Sequence, residues 1–269
     1  MSTTVTELVP GRLYALSHAL ELDGRLTMFG PDARGHTVAN SYLFVEGERA
    51  LLVDTSYSVH EEGLLAALEE VLPAGAELSL FPPRLGEFDS VCNTVPVVER
   101  FGVGLMHCAQ YNGTHWVDFR PEHRDRMPAV TEVVASSEYA FDLGPDRPLE
   151  AFHPVIRLLT THWIYDRATR TLFTSDTFSH TWRDTPDGPW TTDAAEAPPD
   201  PRELLDRMAS ARFWWLRGAR TAPLRTGLAE TFAGRQVEIL APSYGCIVMG
   251  ADAVAAHVRA LDGALEAAA

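Results

Sequence analysis

Three apolar, strand-like runs far apart in the chain each end on polar or acidic residues. The first is followed by Leu85-Gly86-Glu87-Phe88-Asp89-Ser90 and then by a helical pattern. The second, Leu172-Phe173-Thr174-Ser175-Asp176-Thr177-Phe178, closes around an acid, and the third is Leu240-Ala241-Pro242-Ser243-Tyr244-Gly245. Strands that bury their length and release polar side chains at one end build a pocket from separated segments. That confines the chain to a layered, sheet-based α/β fold.

The remaining pattern agrees. Strands are expected over residues 12–17, 24–28, 40–45, 50–53 and 78–81, with a turn at Glu46-Gly47-Glu48. Further strands are expected over 116–119, 132–135, 156–164, 171–174 and 237–240. Apolar residues at helical spacing predict a helix over 59–71, stopped by Pro73-Ala74-Gly75. Other helices are expected over 93–100, 202–217, 222–232 and 251–267. Residues 184–201, rich in Pro, Asp and Thr, read as a long loop or lid between Trp182 and the following helix. Strands-then-helix occurs twice, which predicts two similar halves packed as an αββα sandwich rather than a doubly wound parallel sheet. No linker divides the chain, so residues 1–269 are expected to form a single domain.

Composition narrows the partners. The 269 residues carry a formal charge of −15, a field that repels nucleic acid and anionic membrane surfaces. Residues 1–12 lack the apolar segment of a secretory signal, and no apolar run is long enough to span a bilayer. Cys92, Cys108 and Cys246 are far apart and form no C-x-x-C pair, which argues against structural zinc or a disulfide framework. Cytoplasmic residence is the expectation.

The stretch Asn40-Ser41-Tyr42-Leu43-Phe44 with Leu51-Leu52-Val53-Asp54-Thr55 resembles the opening of metallo-β-lactamase fold proteins. More narrowly, the chain resembles the oxygen-binding diiron domain of flavodiiron proteins over nearly its whole length. That family carries His-x-Glu-x-Asp-His, a further histidine, a strand ending Leu-Phe-Ser-x-Asp-x-Phe, and Ala-Pro-Ser-His-Gly. The resemblance places Glu87, Asp89 and Asp176 on metal-ligand positions. It places Leu85, Ser90 and Tyr244 on histidine positions, and the remaining histidine falls on Arg157, with His153 as the alternative. No counterpart of the family's flavodoxin domain is expected in residues 1–269, so an electron donor would be external.

Those substitutions change the chemistry. Leucine offers no lone pair, and an arginine in a ligand position opposes a metal ion. The surviving carboxylates suit Mg²⁺ or Mn²⁺ at most. A metal-free site is therefore expected, with Arg157 as bidentate counter-ion for Glu87, Asp89 and Asp176; Fe or Mn is the alternative, held by Glu87, Asp89 and Asp176 with His153. Asp54 is read either as a helix cap or as site support, and Ser90 as an N-cap or a catalytic hydroxyl. His36, Ser90, His153 and His180 are candidate substrate contacts. Trp214 and Trp215 read as core residues of a helix.

Four functions are compatible. The first is metal-independent acid–base chemistry on a small organic molecule, with Glu87 or Asp89 as base, Tyr244 as donor and Arg157 binding an anionic oxygen. The second is an oxidoreductase with a carboxylate-rich Fe or Mn site handling O₂ or NO. The third is a non-catalytic pseudoenzyme that keeps the pocket for recognition. The fourth, a hydrolase such as a thioesterase, lacks its usual His-x-His-x-Asp-His run. The resemblance also implies a homodimer.

Overall fold

The computed structural model describes residues 2–117, 126, 129–144 and 147–269. Two seven-stranded sheets carry the β-structure, and helices complete a mixed α/β fold. The chain forms two compact units that interleave along the sequence rather than following one another. One unit comprises Met1–Ala19, Ala39–His153 and Leu159–Ile164, and the other Leu20–Val38, Pro154–Leu158 and Tyr165–Ala269.

The first unit is built on a sheet in the order β1 (Thr3–Val9), β2 (Leu13–Glu21), β3 (His36–Glu46), β4 (Arg49–Val53), β5 (Glu77–Phe81), β6 (Leu105–Cys108) and β7 (Thr131–Val134). β1 to β4 pair antiparallel where the register is resolved, and β4 to β7 run parallel. Parallel strands buried on both faces read as continuous apolar runs, which is why Leu51-Leu52-Val53 and Leu80-Phe81 lack polar alternation. Helix α1 (Glu61–Val71) turns Leu64, Ala67 and Leu68 inward at i, i+3, i+4, and Pro73 follows its last turn. Two short helices, α2 (Phe88–Val91) and α3 (Thr94–Phe101), follow β5, and Gly102 closes α3 with φ 65°. α4 (Gly113–Val117) and the antiparallel hairpin β8 (Glu138–Asp142) and β9 (Pro148–Phe152) complete this unit.

In the second unit the strands follow the order β12 (Thr191–Thr192), β14 (Ile247–Met249), β13 (Ile239–Pro242), β11 (Thr171–Ser175) and β10 (Trp163–Asp166). Helix α5 (Pro201–Ala209) starts where Asp200 accepts the Arg202 N–H, with Pro201 at the first helical position. It packs on α7 (Ala251–Ala267), while α6 (Ala222–Ala233) packs on the same helix. A side chain at Gly263 of α7 would come within 2.9 Å of Pro201, so the close approach of the two helices needs glycine there.

Several expectations are corrected. Residues 24–28 are not a strand, because β2 ends at Glu21 and a turn-rich loop follows. The strand expected from Trp116 is instead the end of α4, and residues 118–119 lie outside the described ones, as does His123. The strand over 156–164 shrinks to β10, preceded by irregular backbone. The single helix over 202–217 stops at Ala209, and a 3-10 turn at Trp214–Leu216 leaves Trp214 exposed rather than in the core. β1, β6, the β8–β9 hairpin and β14 had no counterpart among the expected strands, and the short β12 lies inside the segment expected as a loop.

Two buried features of the first unit yield tests. The Arg147 guanidinium, 2% exposed, donates to the Val45 carbonyl, to the Arg12 carbonyl at 3.2 Å and to Glu46 at 3.3 Å. Arg147→Ala removes the donor of the buried Val45 carbonyl and the packing of a buried side chain, and is expected to cost about 1–3 kcal/mol in urea unfolding; a loss under about 0.5 kcal/mol, the range of an ordinary surface substitution, would contradict it. His18 and His60 stack at 5.0 Å, each bonded through Nδ1 to a hydroxyl, Thr3 and Ser56 respectively. Burial pushes His18 down to about 3 and His60 to about 4. Both are neutral when folded but gain protons when unfolded below about 6.5. Their contribution is therefore complete above pH 6.5 and is lost as pH falls toward 4. The unfolding midpoint should drop between pH 7 and pH 5, and less so in His18→Gln.

Candidate functional site

In the first unit, the polar cluster grows from the parallel pairing of β4 and β5. Val53 lies opposite Phe81, so the residues after both strands emerge side by side. Asp54 and Ser56 follow β4 with φ of 62° and 59°. Left-handed backbone at non-glycine residues costs about 1 kcal/mol each and persists where neighbours hold it. Here the Asp54 carboxylate accepts the Ser90 hydroxyl at 2.5 Å and Arg84 Nη2 at 3.0 Å. The same nitrogen reaches Asp89 at 2.5 Å. Arg84, Asp54, Asp89 and Ser90 are all buried. Asn93 Nδ2 donates to the Thr55 and Tyr57 carbonyls at 2.7 and 2.9 Å, which locks the loop after β4.

This arrangement corrects the expected roles. The guanidinium that pairs with Asp89 is Arg84, not Arg157; Arg157 is exposed and donates to the Pro154 carbonyl at 2.9 Å. Asp54 caps no helix, since neither the 3-10 turn Ser58–His60 nor α1 has a side-chain cap, and it anchors Arg84 instead. Ser90 lies inside α2 and spends its hydroxyl on Asp54. Glu87 is half-buried at the start of α2 without a side-chain cap bond. Leu85 joins the apolar core. His153, half-buried, lies 4.4 Å from the His162 ring.

The donor set does not fit a dinuclear metal centre. Leu85 has no donor atom, Asp89 is already ion-paired, and a guanidinium is a fixed cation where a metal would bring its own charge. Among the described residues, no group of three or more His, Cys, Asp or Glu is placed to hold a metal ion.

In the second unit, the end of β11 carries Asp176. Ser175 and Phe178 have φ of 51° and 68°, and Thr174 Oγ1 pins the turn by donating to the Thr177 carbonyl at 2.9 Å. The turn places Asp176, Phe178 and His180 in the wall of a cavity of about 430 Å³. Met28, Phe29, Trp182, Met208 and Phe213 supply most of the remaining wall. Phe29 meets Trp182 edge-on at 5.6 Å and Tyr244 at 6.1 Å. Arg207 lies 4.4 Å above the Trp182 ring, donates to the His180 carbonyl at 2.8 Å and pairs with Glu203 at 2.6 Å. Gly245 follows Tyr244 with φ 77°, and a Cβ there would stand 2.3 Å from the Thr181 carbonyl, so only glycine allows the Tyr244 turn to approach this loop.

Within this unit, Asp176 and His180 come together in the cavity wall, whereas Tyr244 is buried behind Phe29. His36 opens β3, bonds the Asp184 carbonyl at 3.2 Å and does not line the cavity. The loop over 184–201 is tied down by Arg183, which donates to Glu196 at 2.6 Å and to the Pro189 and Thr191 carbonyls. Arg84, Phe29 and Arg207 were missed by sequence reasoning. Arg84 had a signal, a cation just past an apolar strand and five residues before Asp89. Arg207 had another, the i,i+4 pair with Glu203. Phe29, in an irregular loop, had none.

No protein-family model and no curated protein sequence matches the chain. Solved structures do. Rubredoxin oxygen:oxidoreductase from Desulfovibrio gigas aligns with a TM-score of 0.69 at 18% identity, over 98% of this chain and 62% of that one. The flavodiiron protein from Giardia intestinalis gives 0.65 at 15%, over 99% and 60%. The chain thus spans about three-fifths of these two proteins. A metallo-β-lactamase from Pontibacter korlensis gives 0.59 at 13%, over 98% and 99%. No helix among the described residues is long and apolar enough to cross a membrane. The chain has the metallo-β-lactamase fold, with flavodiiron proteins among its structural neighbours.

Proposed function

We propose that this protein is a metal-independent enzyme that performs acid–base chemistry on a small, aromatic-bearing organic molecule. The observation that carries the reading is Asp176, 6% exposed, in the wall of the 430 Å³ aromatic cavity. Flat apolar walls of Phe29, Trp182, Phe178 and Phe213 favour a planar ligand body. The cavity acids outnumber its cations: Asp32, Asp176, Glu203 and Asp206 stand against Arg207, whose charge is shared with Glu203. An amine or hydroxyl on the ligand therefore suits the Asp176 end, where the carboxylate accepts its hydrogen bond and orients it for proton transfer. Neither Asp89, held by Arg84, nor exposed Arg157 is needed for that chemistry.

Metal analysis after loading with Fe²⁺, Mn²⁺ and Zn²⁺ tests the first half of the reading. No stoichiometric metal is expected; one equivalent retained after desalting would restore the Fe or Mn oxidoreductase alternative. Tryptamine and indole, followed by titration calorimetry, test the second half. Asp176→Asn should weaken tryptamine about tenfold, roughly 1.4 kcal/mol, and leave indole unchanged. Equal losses for both would remove Asp176 from the ligand contact. Arg84→Ala should cost about 3–5 kcal/mol by leaving Asp54 and Asp89 without their cation. Mn²⁺ should then raise the melting point of the variant and not of the wild type. An equal response in both would show that the guanidinium does not occupy a cation's place.

A further inference from the structure

The second unit holds a second cavity, of about 460 Å³, whose polar wall includes Thr181, Arg183, Thr192, Glu196, Asp200 and His257. Trp182, Glu203 and Arg207 border both this cleft and the aromatic cavity. Two histidines bridge them. His180 lines the aromatic cavity and His257 the polar cleft, and His180 Nε2 lies 3.0 Å from His257 Nδ1. The rings are nearly parallel, 20° apart, with centroids at 5.2 Å. His180 is 5% exposed and His257 1%. His257 Nε2 is buried with no hydrogen-bond partner among the described residues, as is Thr181 Oγ1 of the same cleft.

We propose that His257 and His180 form a proton relay between the polar cleft and the aromatic cavity. The relay presupposes the aromatic cavity as the ligand site. One nitrogen of each ring is used in the shared bond, which leaves His180 Nδ1 for the cavity and His257 Nε2 for the cleft. In the outward direction, the ligand's acidic hydrogen passes to His180 Nδ1 and its electron pair stays on the ligand. The Nε2 proton of His180 moves to His257 Nδ1, and the Nε2 proton of His257 leaves to water in the cleft. Both imidazoles begin and end neutral, each in its other tautomer. The reverse sequence delivers a proton to the ligand and restores the starting tautomers, so a reaction that removes one proton and returns one resets the pair.

Neutrality is what this environment favours. Desolvation, then the partner ring and Arg207, push His180 down to about 3, and burial pushes His257 to about 4. A stored imidazolium is costly beside Arg207, whereas a concerted transfer stores none. The other charged groups lining the two cavities are Asp32, Asp176, Glu203 and Asp206 on the aromatic side and Arg183, Asp184, Glu196 and Asp200 on the cleft side. α7 presents no other titratable side chain to the cleft.

The test uses 1-naphthol, a photoacid whose hydroxyl loses its proton on excitation, bound to the full-length protein. Quenching of tryptophan fluorescence reports binding, and the ratio of naphtholate to naphthol emission reports proton departure. With the relay, naphtholate emission is strong in the wild type. It falls several-fold in His257→Leu and in His257→Gln, two variants of different polarity, while the affinity for 1-naphthol is unchanged. Each variant is checked for a cooperative thermal transition, and one folded variant suffices. Unchanged emission in a folded His257 variant that still binds the probe overturns the relay and leaves the ligand-site reading intact. Failure of the wild type to bind 1-naphthol or indole overturns the ligand-site reading, and the relay with it.

Discussion

The first unit depends on a buried cation between two strand ends. β4 and β5 run parallel, and the loops that leave them would set two carboxylates, Asp54 and Asp89, into a dry site. Two carboxylates in such a place carry a large desolvation cost unless a cation compensates them. Arg84 Nη2 touches both, and the Ser90 hydroxyl donates to Asp54. This one contact set explains why Asp54 can hold a left-handed backbone, why α2 starts where it does, and why Ser90 is inside a helix rather than at its cap. Replacing one partner leaves a buried charge, which is a larger penalty than the pair's net contribution.

A metal centre and a guanidinium solve the same electrostatic problem in incompatible ways. A dinuclear centre concentrates positive charge and needs lone pairs from several directions; Arg84 spreads one positive charge over a plane and needs only acceptors. Leu85 packs into the apolar core of the first unit, and a core side chain at this place favours a dry, ion-paired state over a hydrated one. The fold rests on the apolar strands and helix faces, not on the polar residues at the strand ends. Architecture and chemistry are separable in this chain for that reason.

Legibility followed the same division. The αββα class was readable because Leu51-Leu52-Val53, the helix over 59–71 and the last helix carry strong periodicities. What failed locally failed for physical reasons. β1 is polar on its outer face and pairs only at an edge, so its pattern is weak. Trp214 sits on an isolated 3-10 turn, where a large apolar residue is no sign of burial. Asp176 and His180 stand together in one cavity wall, and the sequence carries a trace of that: an acid ends an apolar strand and a histidine stands close behind it. Arg157 was read as the counter-ion because counting along a motif cannot see that Arg84, from the preceding loop, reaches Asp89 first.

His257 shows how a functional signal hides inside a structural one. Residues 253, 254, 257, 260, 261, 264 and 265 form the buried stripe of α7, and six of these seven are Ala, Val or Leu. A histidine on such a stripe must either satisfy both ring nitrogens or leave one orphaned at a desolvation cost of about 1–3 kcal/mol. Here Nδ1 is satisfied by His180 and Nε2 is not. An apolar residue of similar size would pack on α5 without that penalty, so the stripe gives up stability at this position. Such a concession is intelligible where the residue that carries the orphaned nitrogen lines a polar cleft and its partner lines the cavity that holds Asp176. The helix face and the cavity wall are then one device, and the apolar stripe serves to hold the imidazole in a single orientation between the two.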